Sequence, residues 1–154
     1  MPERSTTHSP LPDTKWSAGS IRITSRTVRA DEISARLGIV PDEQYEQGSL
    51  SSPRNPGSRR RETSVWIRRS GLGNDSGLEE HVAALVRLVN GRREELTRLS
   101  VDCDLELCLG FGSENGQGGC VLPAPLLTEV AGLGLDVVLD LYPPTAPTPG
   151  AAPR

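Results

Sequence analysis

The chain has 154 residues, enough for one domain and not for two. Hydrophobic residues are 35% of it, low for a globular protein, so part of the chain is expected to stay outside the core. The net charge is only −3, and no stretch approaches the ~20 apolar residues of a membrane-spanning helix, so no membrane partner is expected.

Residues 1–19, with Pro2, Pro10 and Pro12 among Ser and Thr, read as a disordered tail. Residues 143–154, with prolines at 143, 144, 147, 149 and 153, read as a second, because each proline removes a backbone donor. The single folded domain is therefore expected over residues 20–142. Ile21 to Thr24 alternates apolar and polar and predicts the first strand; Ala30 to Leu37 predicts a short helix stopped by Gly38. Residues 41–62 have no apolar period and predict a long loop. Thr63 to Arg68 predicts a strand with Val65 and Ile67 facing the core, and Trp66 and Arg68 on the other face.

Ser76 and Glu79 have capping-box spacing. Behind them the apolar period runs from Leu78 to Leu99, predicting a helix kinked or broken at Asn90-Gly91. From Val101 to Phe111 the alternation predicts an edge strand, with Cys103 inward and Asp102, Asp104, Glu106 and Cys108 outward. Asn115-Gly116 predicts a hairpin returning as a strand at Cys120 to Leu122. A helix starting near Pro125 and a last strand, Leu135 to Tyr142, with Leu135, Val137, Leu139 and Leu141 facing inward, complete the domain.

The expected fold class is α+β, in the order β-α-β-α-β-β-α-β. The sheet should be mixed and antiparallel-rich, with helices on one face and split β-α-β, ferredoxin-like elements. The open face would carry Arg22, Thr24, Trp66, Arg68, Asp102, Asp104, Glu106, Asp136, Val138, Asp140 and Tyr142.

Five stretches resemble, in order, a bacterial family catalogued as domain of unknown function 4279. They are Asp31 to Pro41, Glu46-Gln-Gly48, Thr63 to Trp66, Glu114-Asn-Gly-Gln-Gly-Gly119 and Leu133 to Tyr142. The resemblance implies one domain and bacterial origin, and it implies no catalytic residue.

Charge is unevenly spread. Six arginines and one acid fall between Ser51 and Ser70, whereas seven acids and no basic residue fall between Leu99 and Pro153. Arg54, Arg59, Arg60 and Arg61, with Arg68 beyond the loop, could meet phosphates, although only Trp66 supplies an aromatic nearby. The Gly-rich run from Gly110 to Gly119 lacks the Lys-Ser or Lys-Thr of a phosphate loop, and Glu114 would repel an anion. Three cysteines without a CxxC pair, and one histidine (His81) inside the domain, give neither a zinc ligand set nor an evident nucleophile–base pair. Three reduced cysteines and no leader-like apolar run point to the cytoplasm.

The expectation is a non-enzymatic, adaptor- or immunity-like protein-interaction domain, without catalytic, cofactor-binding or metal residues and without a cofactor. Its surface would be Arg54, Arg59, Arg60, Arg61, Trp66 and Arg68. Nucleic-acid or polyanion binding through the arginine loop is the alternative.

Overall fold

A computed structural model describes residues 14–144. Of the two expected tails, residues 1–13 and 145–154 lie outside the described residues. Strand β1 (Lys15–Ser25) begins six residues before Ile21. Small residues at Ser17, Ala18, Gly19 and Ser20 conceal it in the sequence. Gly19 is small because helix α2 (Leu78–Val89) packs on it: a Cβ there would lie 2.8 Å from the Cβ of His81.

The other elements are α1 (Ala30–Leu37), β2 (Glu43–Tyr45), β3 (Ser64–Arg69), α3 (Arg93–Leu99), β4 (Asp104–Ser113), α4 (Ala124–Gly132) and β5 (Asp136–Tyr142). The class is as expected: α+β, with one five-stranded mixed sheet in the order β2-β3-β1-β4-β5. Three strand pairs are antiparallel and one, β4 with β5, is parallel. Because β3 and β4 both run antiparallel to β1 and flank it, the unit from β3 through α2 and α3 to β4 is a split β-α-β.

Two elements stand elsewhere than expected. Cys120 to Leu122 is not a strand; after the turn at Gly116 (φ 71°) the chain runs irregularly into α4. The fifth strand is instead Glu43–Tyr45, inside the expected long loop, paired with β3. Strand β4, paired with β1 on one side and β5 on the other, lies inside the sheet and not at an edge. Asp102 sits in the turn before β4, where its carbonyl accepts the Ser25 hydroxyl at 2.7 Å.

Helix α1 has acids in its first turn and ends on Gly38 in the left-handed region. Its N-terminus is capped from a distance: the Glu46 carboxylate accepts the N–H groups of Ala30 and Asp31, each at 3.0 Å. The expected Ser76–Glu79 capping box does not form, and the cap of α2 lies one residue later and is one-sided, because glycine has no side chain to accept an amide. Gly77 is the N-cap, and its N–H donates to Glu80 at 2.7 Å. As expected, the long helix breaks at Asn90-Gly91, where a 3₁₀ turn over Asn90–Arg92 separates α2 from α3.

All helices cover one sheet face. Ile21 and Ile23 of β1, Leu105, Leu107 and Leu109 of β4, and Trp66 of β3 face Ile33, Leu37, Val82, Leu85, Val89, Leu96 and Leu99 in one core. No helix among the described residues is long and apolar enough to cross a membrane.

Candidate interaction surface

Trp66 does not belong to the open face. It is completely buried under α1, opposite Ile23, and its Nε1–H donates to Ser34 Oγ at 3.0 Å. The alternation within β3 was legible, but the buried side is Ser64–Trp66–Arg68. Burying the indole removes the largest apolar surface in the segment from water, and Ser34 satisfies its single donor. The polar ends of that face are bonded too, except that the buried Arg68 Nε has no partner among the described residues. The Ser64 hydroxyl accepts the Gln47 N–H at 3.1 Å, and Arg68 donates to the Val40 carbonyl and pairs with Asp42 at 3.6 Å. Val65 and Ile67 are therefore the outward pair, half-buried.

The expected arginine loop is a short antiparallel hairpin. Gly48 N–H donates to the Arg61 carbonyl at 2.9 Å, Arg61 N–H to Ser49 at 2.8 Å and Ser51 N–H to Arg59 at 2.8 Å. Its arginines are largely committed to this local structure. Arg60 donates to the Gly48 carbonyl at 2.7 Å, and the Arg61 guanidinium lies 3.9 Å above the Tyr45 ring. Arg69, next to Arg68, pairs with Glu43. Arg59 makes only a loose, exposed pair with Glu62 at 3.7 Å, and Arg54 has no ion pair among the described residues. The expected surface of Arg54, Arg59, Arg60, Arg61, Trp66 and Arg68 thus separates into a buried indole, a β3 arginine tied to Asp42, and a hairpin beside β2.

The hairpin does not dock on the acidic strands. It stands at the β2 edge, whereas the acids lie along β4 and β5 at the far side of the sheet. Beside the acidic strands, Arg22 of the central strand β1 forms a 2.7 Å ion pair with Glu106 of β4. That bond holds the Arg22 guanidinium above its ordinary pKa. Glu106 stands beside Asp136 of β5 in the parallel ladder. Asp104, Asp136 and Asp140, by contrast, are exposed and form no ion pair among the described residues.

On the open face Trp16 lies across Gly110 and Gly112 of β4, with Tyr142 of β5 beside it at 4.9 Å between ring centroids. A Cβ at Gly112 would overlap the indole, so glycine there is what lets the ring lie on the backbone. Sequence reasoning missed Trp16 because it fell in the expected tail. No alternation signalled it, since Ser17 to Ser20 are small and Trp16 shares its phase with Arg22 and Thr24 rather than with Ile21 and Ile23.

Strand β5 is an edge, and its apolar side chains are uncovered. Val137, Leu139 and Leu141 share the helix face, yet they remain 48%, 52% and 67% exposed. The sequence pattern placed them inward. Their pleat does point that way, but α4 packs against α2 and leaves them open.

The thiols and the histidine are not brought together as a reactive pair. Cys108 is on the open face and His81 is under Gly19 on the helix face, with the sheet between them. Burial pushes the Cys103 and Cys108 thiols up, away from thiolate character. His81 Nδ1 is 2.7 Å from the Ser70 hydroxyl. A cleft of about 360 Å³ between Trp16, Gly77, Phe111 and Cys120 is shallow and open. No group of three or more His, Cys, Asp or Glu is placed to hold a metal among the described residues.

No curated protein and no solved structure matches the chain. One family model does, over residues 14–144, which takes in every strand and helix described above. The chain therefore belongs to the family described as Domain of unknown function (DUF4279).

Proposed function

We propose that this domain acts without catalysis, by contact with another protein in the cytoplasm of a bacterium, in an adaptor- or immunity-like role. The observation that carries the reading is β5. An unpaired strand edge offers a row of N–H and C=O groups to an incoming strand, and proteins normally shorten, charge or cover such edges. Here the edge is seven residues long and contains no lysine or proline, its only charges are Asp136 and Asp140 on the open face, and Val137, Leu139, Leu141 and Tyr142 are all about half exposed or more. Strand addition uses these features: backbone bonds supply affinity, and alternate side chains supply selectivity.

The test compares immobilised wild type with the Val137→Lys/Leu141→Lys variant, both checked for folding by circular dichroism. The wild type should retain a cellular protein that slows amide exchange along β5, and the variant should not. Retention by both proteins, or a partner that leaves β5 exchange unchanged, would remove the basis for this reading.

A second reading, polyanion binding by the hairpin, is favoured only by Arg54 and Arg59, the arginines least engaged in local structure. Two neutralised phosphates give a log–log salt slope of about −2, shallow for a nucleic-acid binder. A mobility shift lost in Arg54→Ala/Arg59→Ala would support it. No shift at low salt would dismiss it.

A further inference from the structure

We infer that the strand received by β5 is basic: apolar on the side facing Val137, Leu139 and Leu141, and bearing Lys or Arg on the side facing Asp136 and Asp140. The inference rests on the reading of β5 as a docking edge and adds the chemistry of what docks there.

The two faces of β5 make different demands. Residues opposite one another across a strand pair lie on the same face of the sheet. A strand added beside β5 therefore places alternate side chains against Val137, Leu139 and Leu141. That apolar row extends the one formed by Leu105, Leu107 and Leu109 of β4. The intervening side chains fall on the open face, next to Asp136, Val138 and Asp140. Asp136 already adjoins Glu106, whose charge Arg22 balances. Asp136 and Asp140 themselves form no ion pair among the described residues; only the field of Arg22 reaches Asp140, and residues 99–153 contain no basic side chain.

A neutral strand would fill the apolar row and leave both carboxylates without an ion-pair partner. An acidic strand would bring like charges to directly opposed positions, which destabilises a pair. Self-pairing of β5 suffers from this as well. An antiparallel pair centred on Val138 opposes Asp136 to Asp140, and one centred on Asp140 opposes that residue to itself. Centring on Leu139 still leaves Asp140 and the second copy's Asp136 as diagonal neighbours, at about 7–8 Å.

Charge also selects between the two edges of the sheet. At the other edge β2 is three residues long and is flanked by the hairpin that carries Arg54, Arg59, Arg60 and Arg61. Residues 42–62 balance those four arginines with Asp42, Glu43, Glu46 and Glu62, so a basic strand finds no net attraction at that edge, whereas β5 attracts it.

The test uses three synthetic strand peptides, alternating Val with Lys, Val with Thr and Val with Glu, titrated into the 15N-labelled full chain. Amide shifts are followed along β5, and sedimentation is run in parallel. The Val/Lys peptide should shift β5 amides, bind at least tenfold more tightly than Val/Thr at low salt, and lose that advantage in Asp136→Asn/Asp140→Asn. Equal binding of Val/Lys and Val/Thr at β5 would overturn the basic-strand inference and leave the docking edge standing. Sedimentation as a β5-paired dimer without peptide would do the same. Binding of no peptide at β5 would overturn both.

Discussion

Trp66 on β3 and Ser34 on α1 are joined by an indole N–H to hydroxyl bond of 3.0 Å, and both partners come from segments of ordinary appearance. The bond fixes which face of β3 meets α1. It also means that Trp66 is part of the core and unsuited to probing a surface. Trp66→Ala should cost about 3–5 kcal/mol of stability, and Ser34→Ala only about 1 kcal/mol, in urea denaturation. Similar losses for the two variants would show that the hydrogen bond, and not the buried ring, dominates.

Glu46 caps α1 from a loop fifteen residues downstream and also receives the Ser64 hydroxyl at 3.2 Å. Replacing it with alanine frees two amides at the positive end of the helix. Glu46→Ala should lower stability by about 1–2 kcal/mol, measured by thermal or urea unfolding. Amide exchange should quicken first at Ala30 and Asp31.

Gly112→Ala would place a methyl carbon 2.6 Å from Trp16 Cε2, a contact the flat indole cannot accommodate without moving. The expected loss is about 1–3 kcal/mol, with a red-shifted tryptophan emission as the ring lifts off the sheet. In a Trp16→Ala background the same substitution should be nearly neutral. Equal costs in both backgrounds would place the strain elsewhere.

Glu95 of α3 accepts from Arg36 of α1 at 2.6 Å and from Arg98 at 3.0 Å. These bonds, the Arg36 one foremost, hold its carboxyl below the usual carboxylate range. A carboxyl with a depressed folded pKa contributes its stability in full above the ordinary value and loses it as pH falls through the folded one. The difference in unfolding free energy between wild type and Glu95→Gln should therefore be largest near neutral pH and shrink on acidification. A difference independent of pH would contradict the linkage between α1 and α3.

How legible each element was depended on how many neighbours decide it. In β4, Leu105, Leu107 and Leu109 alternate with Asp104, Glu106 and Cys108, and both faces came out as read. In β3 the alternation was equally visible. However, Val65 and Ile67 compete with one large indole, and only the presence of α1 and Ser34 resolves which side is buried. β2 could not be read, because Glu43 and Gln44 carry no apolar signal and the strand exists through its pairing with β3. The Cys120 to Leu122 segment has strand-like composition and finds no strand to pair with. On the candidate surface, the charge polarity was plain from residue counts. The exposure of β5 was hidden, since an inward-pointing leucine looks the same in sequence whether or not a helix lies over it.

The separation of the arginine hairpin from the acidic strands has a consequence for motion in solution. A net charge of −3 would suggest weak, directionless electrostatics, but the opposed edges give the molecule a dipole across the sheet. In the field of a charged body the domain experiences a torque before it experiences much net pull. It rotates its β5 side toward positive charge and its hairpin toward negative charge while still a Debye length or so away, about 8 Å at physiological salt. Orientation is thus set before contact, and raising the ionic strength randomises it.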